Sequence, residues 1–96
     1  MNPIQFCSCP CVVQKHQYVE GGQALLLVHA IEGDPVAKAT VYVEGVKLAP
    51  DEAIIKDYSE NEGMLEVLVG AGIVEPTGRT VALPHGIVAP ICRVLI

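Results

Sequence analysis

The spacing of hydrophobic and polar positions changes along this chain, and each change marks an element. Residues 24–31 (ALLLVHAI) form an unbroken apolar run, which predicts a buried strand. Residues 38–44 (KATVYVE) alternate, with Ala39, Val41 and Val43 on one face and Lys38, Thr40, Tyr42 and Glu44 on the other, which predicts a half-buried strand. Glu32-Gly33-Asp34-Pro35 between them is turn chemistry, so the two runs form a hairpin. Residues 53–56 read as a short strand leading into the next element. There the period becomes helical: Met64, Leu65, Leu68 and Ala71 recur on one face with Val67 beside them. Ser59 stands where an N-cap belongs, with Glu62 three residues on to complete a capping box. Asp57, Glu60 and Glu62 put negative charge at the positive end of the helix dipole, and Gly72 suits a left-handed C-cap. The pattern predicts a helix over residues 60–71, with Gly63 inside it costing up to about 1 kcal/mol relative to alanine.

The chain on either side of this segment reads as extended. Glu75-Pro76-Thr77-Gly78 predicts a turn, residues 79–83 a strand, Pro84-His85-Gly86 another turn, and residues 87–96 a long apolar ending. Pro90 cannot donate to a ladder, so this last strand is expected at a sheet edge or broken there. Residues 4–13 are extended and interrupted by Pro10, and Gly21-Gly22 separates them from the first clear strand. The fold class expected is α+β: a small antiparallel sheet of four to six strands with one α-helix packed on one face. All 96 residues form one domain. Its parts are an extended segment over 1–22, hairpin and strand over 23–57, helix over 59–72, and C-terminal strands over 73–96.

Charge narrows the function classes. The net charge is −5, from 11 acidic against 6 basic side chains. Asp51, Glu52, Asp57, Glu60, Glu62 and Glu66 lie close together in sequence, with Lys56 the one base among them. A nucleic-acid binder needs the reverse balance, because neutralising phosphate supplies most of its affinity. Direct contact with nucleic acid or an anionic membrane is therefore not expected, and a basic protein surface is the natural complement. Hydrophobic residues make up 51% and charged residues 18%, an apolar composition for so small a domain. Part of that excess is expected at an interface. No basic region followed by a long apolar run opens the sequence, and no apolar run approaches a membrane span, so the expected location is the cytoplasm. Thiols stay reduced there, and four cysteines do not imply two disulfides.

Cys7-Ser8-Cys9-Pro10-Cys11 is the most unusual local feature. Three thiols at alternate positions, with His16 or Cys92 as a fourth ligand, could hold zinc. In a strand such residues are roughly 6.6 Å apart, whereas sulfurs sharing one tetrahedral zinc are roughly 3.8 Å apart, so the segment would have to curl. A reduced, partly buried strand face is the plainer reading, and no cofactor is expected. No C-x-x-C pair suggests redox chemistry. His29, inside an apolar strand, reads as a satisfied core histidine, and His85 as a solvated turn residue. Gly70-Ala71-Gly72 imitates a dinucleotide loop but ends a helix instead of opening one. No nucleophile, base and orienting group can be named together, so the chain is not read as an enzyme.

Lys56-Asp57-Tyr58-Ser59-Glu60-Asn61-Glu62-Gly63-Met64-Leu65-Glu66, continued by Ala71-Gly72-Ile73-Val74 and Thr77-Gly78-Arg79, resembles a family of short uncharacterised bacterial proteins carried on plasmids and phages. The resemblance covers the stretch from Ala39 to the Cys92 region. It implies a small accessory protein of a mobile element, of the kind that inhibits or adapts host machinery such as a defence complex. It transfers no catalytic residue, and the Cys7–Cys11 segment lies outside the shared pattern. The leading expectation is a non-enzymatic binding protein that docks Asp51, Glu52, Asp57, Glu60, Glu62 and Glu66 on a basic partner. The alternatives are a metal-stabilised module using Cys7, Cys9, Cys11 and His16, and a homodimer joined through the C-terminal strand.

Overall fold

The computed structural model describes residues 4–19 and 21–96. Among the described residues the chain forms eight strands and one α-helix. The strands are β1 (Ile4–Phe6), β2 (Cys9–Gln17), β3 (Gln23–His29), β4 (Pro35–Lys38), β5 (Thr40–Val41), β6 (Glu52–Ile55), β7 (Val74–Ala82) and β8 (Val88–Val94), and the helix is α1 (Met64–Gly70). They build two antiparallel four-stranded sheets, in the orders β1-β2-β3-β4 and β5-β6-β8-β7. The α+β class is as expected, but the architecture is two sheets instead of one. The radius of gyration, 12.6 Å, matches the roughly 12.5 Å of one compact domain this long.

The division falls at Ala39. β4 pairs with β3, whereas β5 pairs with β6. The alternating run read as one strand is divided: Lys38 ends β4, Thr40 and Val41 form β5, and residues 42–44 lie outside any strand. Ala39 is the corner: its N–H donates to Leu25 O in the first sheet, and its carbonyl accepts from Lys56 N in the second. Thr40, placed on the polar face by the alternation, is fully buried. Its Oγ1 accepts from Leu25 N at 3.2 Å and bonds the Tyr18 hydroxyl at 3.1 Å. The corner therefore leaves no buried polar side-chain atom unsatisfied.

The N-terminal segment is a hairpin. Phe6 pairs with Cys9 across a two-residue turn, and the turn residues Cys7 and Ser8 both have positive φ, 53° and 62°. Primed turns of this kind match strand twist but favour Asn-Gly, so this pair carries no turn signal. Between β2 and β3 the chain turns at Gly22 (φ +86°), where an added Cβ would stand 2.8 Å from Leu48 Cδ1. The predicted reversal after β3 is present, but β3 pairs with Pro35–Lys38, which shares only Lys38 with the partner strand predicted over 38–44. His29 ends β3 half-exposed, and its Nδ1 accepts from the N–H groups of Ile31 and Glu32, so it is satisfied at a turn and not within the core.

The helix is shorter than the pattern predicts. Ser59–Asn61 forms a separate 3-10 turn, and Gly63, at φ +94°, breaks the path before α1 starts. Ser59 has φ +56° and lies within that turn, so it is not the N-cap of α1, a position held by Gly63. Asp57 caps α1 instead: its Oδ1 accepts from Gly63 N and Leu65 N, both at 3.0 Å. The C-terminus is as expected. Gly72 N donates to Val69 O and Ile73 N to Leu68 O, with Gly72 at φ +72°. α1 lies against both β1 and β7, closing the gap between the sheets instead of covering one face.

Two further expectations are corrected. Thr77 and Gly78 do not end a strand. β7 runs through them, with its register against β8 shifting between Pro76 and Thr80 and Gly78 at φ +88°. Turn chemistry has made a bulge. β8 is not an edge either, since it lies between β6 and β7. The β6 ladder stops at the Ile54–Ile91 pair, just before Pro90, so the proline sits where that pairing has ended. Residues 88–90 of β8 pair with β7 alone, since the β6 ladder covers only residues 91–93.

Leu25, Leu27, Ala39, Ala53, Ile55, Met64, Leu68, Ile73, Val74, Cys92 and Val94 fill the space between the sheets and α1. Each fully buried Leu or Ile there is worth roughly 1.5–3 kcal/mol. Ile54, Val81, Ala89 and Ile91 point to the opposite side of the second sheet.

Candidate functional site

Because side chains alternate along a strand, the second sheet has an apolar outer face that must be covered. The cover is the connection between β5 and β6, which lays Val43, Val46 and Leu48 over that face, with Val41, Tyr58 and Leu83 around it. The cover is incomplete. An open groove of about 560 Å³ remains, lined by Val41, Tyr42, Val43 and Glu44 on one side, Leu83, Pro84, His85 and Ile87 on the other, and Tyr58. A smaller cleft of about 280 Å³ adjoins it, lined in part by Tyr18, Tyr42, Lys47 and Leu48. Small-molecule and side-chain sites run from roughly 300 to 1,000 Å³, which places the groove within that range and the cleft just below it.

All three tyrosines of the chain converge here. Tyr18 is fixed by its bond to buried Thr40. Its ring meets that of Tyr42 at 5.7 Å between centroids, tilted by 49°, a favourable aromatic geometry. Tyr42 stands between groove and cleft and is 39% exposed. Lys56 Nζ lies 5.8 Å from the centroid of Tyr58, within cation–π range, and ion-pairs with Glu60. His85 is exposed on the turn before β8, in the left-handed region at φ +66°. Alternation along residues 38–44 puts Tyr42 outward, and the chain has no tryptophan. Beyond those hints, tyrosines 24 and 16 residues apart carry no sequence signal of their meeting.

The six predicted acidic residues are not six free charges. Glu52 ion-pairs with Arg79, and its side chain is only 13% exposed. The Arg79 guanidinium, followed by the N–H of Ala49, holds its carboxyl below the usual range. Glu60 pairs with Lys56, whose ammonium brings the Glu60 carboxyl down to about 2; the same pairing raises Lys56. Asp57 is committed to capping α1. Asp51, Glu62 and Glu66 are exposed.

The cysteine set is a hairpin and not a cage. Cys7 is exposed at the turn, Cys9 is half-buried, and Cys11 is fully buried with its Sγ donating to Cys9 O at 3.4 Å. Burial, then the neighbouring Cys9 and Cys7, pushes the Cys11 thiol up. His16 is exposed five residues further along β2, about 17 Å from Cys11 on an extended strand. The conformation therefore does not assemble Cys7, Cys9, Cys11 and His16 as four ligands. Among the described residues no group of three or more His, Cys, Asp or Glu side chains is placed to hold a metal ion. Cys92 is buried in the core, and burial followed by the charge of Asp57 pushes its thiol up to about 11.

No protein-family model, curated protein or solved structure matches this chain. Among the described residues no helix is long and apolar enough to cross a membrane.

Proposed function

We propose that this chain is a non-enzymatic binding domain that works by contact with a basic protein surface, centred on the groove beside Tyr42. One observation carries the reading: an apolar sheet face left partly uncovered, with aromatic rings at its opening. Interface centres are enriched in tyrosine because the ring supplies apolar area with a polar tip at low entropic cost. The net charge of −5 defines the partner's sign, and exposed Asp51, Glu62 and Glu66 supply long-range attraction. An inhibitor of a nucleic-acid-binding host complex, encoded by a mobile element, is the finer form of the same proposal, since such complexes present basic surfaces to phosphate.

Affinity capture from the native host, with wild-type chain beside Tyr42→Ala and the triple charge reversal of Glu60, Glu62 and Glu66, tests it. The partner should be lost with Tyr42→Ala, retained with Tyr42→Phe, and held with weaker salt dependence by the triple variant. A partner indifferent to Tyr42→Ala contradicts the groove as the centre of contact.

A further inference from the structure

We infer that the groove seats an arginine side chain of the partner, its guanidinium against the rings of Tyr42 and Tyr58 and its charge matched by Glu44. The inference rests on the contact reading above and gives the occupant its chemistry. Among the described residues that line the groove, Glu44 is the one formally charged side chain, His85 being counted neutral. Glu44 is exposed. A neutral apolar occupant would bring its surface against that carboxylate without matching it. A cation matches it and gains from the negative faces of the rings.

The structure already holds one cation on this aromatic system. Lys56 Nζ sits 5.8 Å from the Tyr58 centroid, yet Lys56 is not among the residues lining the groove, and its charge is matched by Glu60. Tyr58 thus has a cation beside it that leaves the groove unfilled. Arginine fits the groove better than lysine does. Its planar group stacks on aromatic faces while forking onto a carboxylate, and it sheds water at lower cost than an ammonium. The volume of about 560 Å³ also leaves room for the aliphatic stem to lie along Val41, Val43 and Leu83.

The test is a titration of the whole chain, followed by the tyrosine ring resonances, with a blocked Ala-Arg-Ala peptide and its citrulline twin, which has the same shape and no charge. The arginine peptide should shift the rings of Tyr42 and Tyr58 saturably in the millimolar range, and citrulline should bind roughly tenfold more weakly. Glu44→Gln should weaken the arginine peptide roughly fivefold and leave citrulline unchanged. Tyr42→Phe, which keeps the ring, should bind as wild type does, whereas Tyr42→Ala should not. Equal binding of the two peptides, shifts confined to the surroundings of Glu62 and Glu66, or no saturable shift of either ring would each overturn the inference. None of those results touches host capture that depends on Tyr42. Conversely, a captured partner indifferent to Tyr42 would remove the contact reading while leaving a positive peptide result in place.

Discussion

The second sheet presents two faces built from the same strands, and they are finished differently. Ala53, Ile55, Cys92, Val74 and Val94 face inward, against the first sheet and α1, and are almost entirely enclosed. Ile54, Val81, Ala89 and Ile91 face outward, under an irregular connection and a few half-buried side chains, with a groove left open beside Tyr42. Alternate residues of one strand thus serve different ends. The inward set holds the fold together, and the outward set leaves apolar surface that a partner can cover. A chain with 51% hydrophobic residues and only four aromatic side chains can support both, because aliphatic side chains and Phe6 fill the inside and the tyrosines are left for the opening.

Substitutions can break this contrast. The largest effect belongs to the inner core: Leu27→Ala or Leu68→Ala should destabilise by about 2–5 kcal/mol in chemical denaturation, since each is fully enclosed. Next comes Asp57→Ala, which removes both side-chain bonds at the start of α1 and should cost about 1–2 kcal/mol by the same measurement. Tyr42→Ala removes the ring contact with Tyr18 and should cost about 1 kcal/mol while abolishing capture of the partner. A Tyr42→Ala cost as large as that of Leu27→Ala would make the outer face part of the core and end the contrast.

The smallest effect is one of pH. Glu52 and Glu60 both have carboxyl pKa values below their ordinary value of 4.5, through Arg79 and Lys56 respectively. A depressed folded-state pKa gives stability that is present above the unfolded value and lost as pH falls through the folded one. The loss for Glu60 therefore falls between about 4.5 and about 2. Glu60 is fully exposed and solvent screens its pair, so the main contribution comes from Glu52. Denaturation midpoints at pH 6 and pH 3 should fall less for Glu52→Gln than for wild type, and equal falls would remove the Glu52–Arg79 pair from the account.

Local chemistry was legible in the sequence where it also decided the structure. The reversal after β3, the apolar stripe of α1 and the Gly72 cap all follow from spacing and residue type. What the sequence hid was tertiary. The run through Ala39 alternates like a single strand, and only the bond from Leu25 N to Thr40 Oγ1 shows why the chain turns a corner there with its threonine buried. Ser59 had the residue type of a cap, but Asp57 lies where its carboxylate reaches two free N–H groups. Pro90 signalled an edge or a break, and it is a break: β8 lies between β6 and β7, and its β6 ladder ends at Ile91. The site itself was the least legible part. Charge in sequence drew attention to residues 51–66, whereas half of those carboxylates are engaged within the chain and the rings that converge come from three distant segments.

Hydrogen exchange of the chain, alone and bound to its captured partner, is the most direct test of that division of labour. New protection is expected over residues 41–48 and 83–87, with the strands of the inner core equally slow in both states. Protection confined to α1 and the segment around Glu60 and Glu62, with residues 41–48 exchanging as fast as in the free chain, would contradict it.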